Sequence, residues 1–444
     1  MRTHFTTLIL LITLVALSGV ATAKPTRDAY WPQWRGPLAT GVAPHGDPPT
    51  EWGPEKNIAW KVEIPGKGYA SPIVWQDTLY LLTAVPSEDS TEDSEPSQPG
   101  DDQGMPRNIQ PTQTQQFTIL ALRREDGGVV WKKVLREEVP HEGTHMTATW
   151  ASNSPITDGE HIFAYFGSRG LYCLDMDGNL IWQKDLGDMQ TRRGFGEGSS
   201  PALHGNTLVV NWDHEGDSFI VALDKRTGEE LWRRDRDEVT SWSTPLIVEH
   251  GGRTHVIVSA TGKVRSYDLA TGEVIWEVGG MTVNAIPTPV HLDGLVIVMS
   301  GFRGNALLAI RLAGAEGDIT GSDSIVWSLD RDTPYTPSPL LYGEQLFFLK
   351  TNDGILSSYN ARSGEKYFGP VRLEDTPNIY ASPVGANGRV YIAGRDGAVV
   401  VLEKSPEFKV LAVNKLEDGF NASPAIVDNE IYLRGKHHLY RISE

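Results

Sequence analysis

A Ser/Thr-Pro pair leading into an apolar run occurs eight times: Ser71-Pro72, Ser154-Pro155, Ser200-Pro201, Thr244-Pro245, Thr288-Pro289, Ser338-Pro339, Ser382-Pro383 and Ser423-Pro424. The period, roughly 40–50 residues, is that of propellers and solenoids. After each opening comes a second strand pattern, as in Leu79-Tyr80-Leu81-Leu82 or Arg389-Val390-Tyr391-Ile392. A Gly-containing turn leads to a third, such as Phe219-Ile220-Val221-Ala222-Leu223, and the unit closes with Asp-x-x-Thr-Gly and a strand ending in Trp. The fullest closure is Ala222, Asp224, Thr227, Gly228 and Trp232; Ser266, Asp268, Thr271, Gly272 and Trp276 keep the same spacing. Ala121, Gly127 and Trp131 keep it in the first unit, and Ser358, Ser363 and Gly364 in the sixth, with Phe368 in place of Trp. The second unit (Cys173, Gly178, Trp182) is one residue shorter, the fifth is stretched before Trp327, and the seventh has lost the signature.

Four short antiparallel strands make a twisted sheet too small to bury both faces alone. Stacking such sheets around an axis buries each face against the next, with the Trp filling the gap between neighbours. No 3.6-residue periodicity appears beyond the first residues, which excludes a helical solenoid. The eighth unit holds only three strands before the chain ends, and an orphan strand, Asn57-Ile58-Ala59-Trp60-Lys61-Val62, precedes the first opening. Pairing the two closes the ring and removes its free edges. The prediction is all-β: an eight-bladed propeller with four-stranded antiparallel blades over residues 57–444, its last blade closed by the N-terminal strand.

Residues 1–23 read as a secretory signal, with Arg2, an apolar run over 8–17 and the small-x-small end Ala21-Thr22-Ala23. No other stretch has the length to span a membrane, so a periplasmic or secreted protein is expected, with no integral membrane segment after cleavage. Residues 24–56 form an entry segment. Residues 86–116, rich in Ser, Glu, Asp, Pro and Gln, are expected to be a disordered acidic insertion in the first blade. With 40 Lys and Arg against 57 Asp and Glu, the net charge is -17, which argues against nucleic acid and anionic membrane as partners. The single cysteine, Cys173, excludes an intrachain disulfide and Cys-based metal clusters.

The Ser-Pro openings, the Ala-x-Asp-x-x-Thr-Gly-x-x-x-Trp closures and the eightfold count resemble the PQQ-binding-like propellers, a family that takes in quinoprotein alcohol dehydrogenases and an outer-membrane assembly lipoprotein. The segment Trp31-Pro32-Gln33-Trp34-Arg35-Gly36 is similar to the stretch before the first blade in these proteins. No cofactor is assigned from the residues; pyrroloquinoline quinone (PQQ) is implied by the family resemblance alone. The enzymes stack that quinone on a disulfide between adjacent cysteines and hold calcium through Glu, Asn and Asp. Cys173 has no neighbouring cysteine, and no such ligand trio aligns. Fold alone does not carry activity.

If the first strand of each blade lines the axis, the loops entering it share one rim with the turns between strands two and three. Those turns offer Arg169, His214, Lys263, Arg303, Arg395 and Lys436, and the entering loops offer the aromatics Trp150, Trp242, Tyr335 and Tyr380. Cations aimed at one mouth would attract an anionic ligand or an acidic protein segment, and the rings would give it flat contact. The bland account is that the charges are solvated and the rings fill the axial core. Asp213-His214-Glu215 are consecutive in a turn with no second anchor, so no metal site is assigned. Arg236-Asp237 and Arg331-Asp332 are expected to brace blades. No catalytic set is recognisable. The reading is a non-catalytic exported binding or scaffold protein for an unknown protein or small anionic ligand; a PQQ-dependent oxidoreductase and an outer-membrane assembly scaffold stand as alternatives.

Overall fold

The computed structural model describes residues 26–87 and 108–444. The signal-peptide expectation for residues 1–23 lies outside them, as does most of the 86–116 insertion. At the ends of that insertion, Pro86 pairs with Gln115 and Val85 with Gln116 in the longest strand pair of the molecule. No helix among the described residues is long and apolar enough to cross a membrane.

The chain is an all-β propeller of eight antiparallel sheets. Blade 1 runs from Ile73–Trp75 through Thr78–Pro86 and Gln115–Arg123 to Val129–Glu138. Blades 2 to 7 follow over 156–184, 202–235, 246–278, 290–329, 340–372 and 384–415. Blade 8 takes Ala425–Val427, Glu430–Arg434 and His438–Ile442 from the C-terminus and Ile58–Glu63 from the N-terminus, with Trp60 opposite Arg441 and Val62 opposite Leu439. The predicted closure is thus the observed one.

Each blade grades from a buried inner part to a wet outer strand. In blade 3 the third strand, Phe219–Asp224, is buried up to its last residue, whereas in the fourth, Glu230–Asp235, Trp232 alone is fully buried. That Trp explains the closing signature. Its Nε1 donates to Leu269 O of the next blade at 2.8 Å, and its ring lies on the hairpin glycine Gly272, where a Cβ would come within 2.6 Å. Trp60 on Gly127, Trp131 on Gly178, Trp182 on Gly228 and Trp327 on Gly364 repeat the contact, each indole donating to a carbonyl of the next blade's hairpin.

The exceptions follow from sequence. The hairpin of blade 5 is stretched, and its insertion supplies Gly317–Asp318, which pairs in parallel with Trp276 and Glu277 on the outside of blade 4. Phe368 of blade 6 meets Phe408 edge-on, in the hairpin of blade 7 that lost its signature.

The Ser/Thr-Pro openings also have a structural role. Ser71 N–H donates to Ser154 Oγ, Ser154 to Ser200 and Ser200 to Thr244; Thr288 donates to Ser338, Ser338 to Ser382, Ser382 to Ser423, and Ser423 back to Ser71, all at 2.9–3.1 Å. This belt of hydroxyls ties neighbouring blades at the axis, each bond worth about 1 kcal/mol. Between blades 4 and 5, Ser243 Oγ donates to Pro287 O instead, and the Thr288 hydroxyl accepts from the indole of Trp34.

Trp34 belongs to the entry segment, which crosses one end of the axis. Trp31 bridges to Val74 of blade 1, and Pro32 O accepts from Thr157 N–H of blade 2. Arg35 reaches the other side, donating to Pro383 O at 2.8 Å and Pro339 O at 2.7 Å. Its guanidinium is 1% exposed, and burial pulls its pKa down to about 9. Val42–Ala43 then runs parallel to the first strand of blade 7.

Candidate functional site

The opposite end of the axis is open. Behind it lies a cavity of about 500 Å³, floored by Trp34 and walled by Tyr69, Phe195, Trp242, Phe302, Tyr335 and Tyr380, with the hydroxyls of the Ser/Thr belt at its base. The rings are held from behind. Trp242 Nε1 donates to Gly196 O at 2.7 Å, Phe302 stacks on Tyr335 at 4.6 Å between centroids, and Asn284 Nδ2 donates to the Tyr335 hydroxyl. His145 sits edge-on to Phe195 at 5.3 Å, and burial, with Arg395 adding to it, lowers its pKa.

Of the ten rim residues proposed from sequence, Trp242, Arg303, Tyr335 and Tyr380 meet in this cavity. Arg303 is exposed, in a left-handed turn with φ of 52°. Arg395 stands one layer back, its guanidinium 4.5 Å over the Tyr380 ring and its Nε donating to Asn421 Oδ1 at 2.9 Å.

The other expected cations are not brought to the mouth. Arg169 is turned inward, 3% exposed, and donates to Glu197 Oε1 at 3.0 Å. His214 is buried in its own turn, accepting from Gln190 N–H at Nδ1 and donating from Nε2 to Asp217 O. Lys263 pairs with Glu277. Lys436 is exposed on a turn whose N–H groups bind Asp418. Trp150 donates to Glu142 O and packs with the blade 1–2 core. The six-cation ring is corrected to an aromatic cup with Arg303 at its lip and Arg395 behind its wall. Two of the displaced cations, Arg169 and Lys263, are taken by carboxylates, those of Glu197 and Glu277.

Other side chains in the wall come from longer connections before blades 2 and 3: His145, Thr147, Arg193 and Phe195. Their irregular backbone follows no repeat, so the period could not locate them. The length of the 139–155 and 185–201 connections was the available signal.

The calcium and the cysteine wall that the family resemblance implies do not fit these residues. Among the described residues, Glu197 is the one acidic side chain in the lining. Its carboxylate is already taken by Ser168 N–H, Ser168 Oγ and Arg169, and burial raises its pKa despite Arg169. A calcium site needs several oxygen ligands. Cys173 is buried between blades 2 and 3, away from the cavity, with its thiol pushed up to about 12. The Asp158, Glu160 and His161 cluster lies outside the cavity, and Asp158 is paired with Lys225 at 2.6 Å.

The fold and cup define an eight-bladed propeller with a closed floor and an aromatic axial pocket. The chain belongs to the PQQ-like propeller family whose model is described as outer membrane protein assembly factor BamB, matched over residues 91–216 and 216–444. It is 24% identical over 205 residues to an outer membrane protein assembly factor BamB of Francisella salina, a match covering 42% of this chain and 36% of that protein. The chain spans 36% and 57% of the length of two curated relatives it matches. The crystal structure of BamB from Moraxella catarrhalis superposes with a TM-score of 0.58 at 13% identity, covering 87% of this chain and 97% of that one. A quinohemoprotein alcohol dehydrogenase from Pseudomonas putida HK5 does so with a TM-score of 0.58 at 10% identity, over 94% of this chain and 80% of that one. At such identities the likeness is one of fold alone.

Proposed function

We propose that this chain is a non-catalytic, exported binding propeller that seats a flat, largely apolar group of a ligand or partner in its axial cup. The aromatic cavity of about 500 Å³, closed below by Trp34, carries this reading. Its size and lining are those of a small-molecule or side-chain pocket. Export from the cytoplasm, with residues 1–23 as the signal, belongs to the same proposal.

Naphthalen-2-ylmethanol is a suitable neutral probe, since Trp34 and Trp242 report on occupancy by fluorescence. Saturable quenching in the wild-type protein and its loss in Ala148→Trp, which fills the cup, are expected. Unsaturable quenching, or saturation indifferent to Ala148→Trp, would remove the reading. Robust turnover of an alcohol with added PQQ, calcium and a dye acceptor would overturn its non-catalytic part.

Family membership favours a second reading, a scaffold in outer-membrane protein assembly, as its relatives' names state. Recovery of an outer-membrane assembly complex with the tagged protein supports it; consistent absence of that complex counts against it.

A further inference from the structure

Among the described residues the hydroxyl belt joins every pair of neighbouring blades except 4 and 5, where the Thr288 hydroxyl is turned to Trp34. The same junction lacks the indole bond. Trp276, which closes blade 4, is fully buried with its Nε1 enclosed and without a hydrogen-bond partner, and the hairpin it would meet is the stretched one of blade 5. What holds the two blades is an apolar cluster that includes Val248, Ile257, Trp276 and Val298. Trp242 N–H donating to Ala285 O, Ser243 donating to Pro287 O and the Gly317–Asp318 strap add to it.

Three histidines meet in this junction. His250 ends the first strand of blade 4, and its ring lies against blade 5, where a Cβ on Gly294 would come within 2.8 Å of it. His255, on the second strand, is buried, bonded to Ser266 Oγ and 6.4 Å from His250 between ring centroids. On blade 5, His291 Nε2 accepts from Gly294 N–H at 2.8 Å. Burial first, and then the neighbouring imidazoles, lower the pKa of both His255 and His291; Arg253 adds to this at His255.

The charged groups around them are already engaged. Asp268, opposite His255, accepts from the N–H groups of Ala270 and Thr271. Asp293, beside His291, pairs with Arg362 of blade 6. These two carboxylates offset the lowering only in part. Glu249 pairs with His204 of blade 3, and Arg311 of blade 5 donates to Asp323 O. Imidazolium charges taken up in the junction therefore repel one another, and Arg253, across a partly buried seam.

We propose that the seam between blades 4 and 5 is the joint at which this ring opens on acidification: proton uptake by His250, His255 and His291 parts the two blades while the other seams stay closed. Below the ordinary 6.5 the opened seam binds protons that the closed one refuses. The closing contribution of His255 and His291 is thus full above that value and is lost as pH falls toward their depressed ones. The seam yields first because the belt bond and the indole bond that brace other seams are both missing from it. This joint is independent of what the cup binds.

Two neighbours on one strand of blade 5 give the test its control. Val298 is buried against blade 4 and Ile297 against blade 6. In a Cys173→Ala background, Val298→Cys and Ile297→Cys are labelled with 4,4′-dithiodipyridine, each rate referred to glutathione at the same pH. Between pH 7.5 and 5.5 labelling should rise about tenfold or more at Val298→Cys and stay within about twofold at Ile297→Cys. Replacing His250, His255 and His291 together by Gln should remove the rise. No rise at Val298→Cys, an equal rise at Ile297→Cys, or a rise that survives the triple replacement overturns the joint. Should the cysteine variants fail to fold, hydrogen exchange of the unaltered protein, corrected for the intrinsic rate, carries the test. Amides of Arg253–Val258 and Leu295–Ser300 should then lose protection at pH 5.5 while those of Arg389–Ala393 keep it. Protection kept in all three strands, or lost equally from all three, overturns the proposal.

Discussion

Arg236 and Asp213 are both fully enclosed and joined by two hydrogen bonds, at 2.6 and 3.0 Å. Arg236 also donates to the Tyr267 hydroxyl of blade 4, so it braces blades 3 and 4. The neighbouring Asp237 pairs instead with Arg265 of blade 4. The bracing was legible in the Arg-Asp dipeptide; the true partner was not, because it comes from a turn 23 residues earlier. Asp213→Ala leaves the buried guanidinium without its carboxylate and should cost about 3–5 kcal/mol in urea unfolding. Cys173, with its thiol pKa pushed up to about 12, should stay inert to a thiol reagent at neutral pH until the protein is unfolded. His255 is 4% exposed and hydrogen-bonded to Ser266 Oγ. Burial, then His250 and Arg253, lowers its pKa from the ordinary 6.5. Below 6.5 the unfolded chain binds a proton that the folded one refuses, so this contribution is full above that value and is lost as pH falls toward the depressed one. Urea midpoints should drop between pH 7.5 and 5.5, and less so in His255→Gln.

At the scale of the strand and hairpin, the repeat told most. The offset between Gly and Trp was readable because one docking contact imposes it in blade after blade. It faded where the contact itself changes, at the stretched hairpin of blade 5 and at Phe368. Charges at the strand two–three turns were readable as residues but not as a site. Their direction depends on carboxylates from other strands, such as Glu197 for Arg169 and Glu277 for Lys263. Gly272 has φ of +73°, and a Cβ there meets the Trp232 ring. Gly272→Ala should therefore cost about 2 kcal/mol or more by thermal or urea unfolding, combining left-handed strain with overpacking. Gly205, with φ of +56° and nothing within 4 Å, is the control: Gly205→Ala should cost only about 1 kcal/mol.

For the whole molecule, the pairing of Ile58–Glu63 with His438–Ile442 is the last bond of the ring. A chain cut before residue 438 exposes the edge of Glu430–Arg434 and the unpaired N-terminal strand. It should lose single-transition melting and self-associate, as seen by circular dichroism and light scattering. Circular closure was legible from the count of strands alone, since an eighth unit short by one strand and an orphan at the other end have one economical solution.

The entry segment gives the wheel a blind end. With Trp34 fastened to Thr288 and Arg35 clamped across to Pro339 and Pro383, nothing can be threaded through the hub from one face to the other. Under the proposed binding reading, a guest would leave by the doorway it came in, and its dwell time would be governed by the aromatic lip and by how firmly its innermost atoms are gripped.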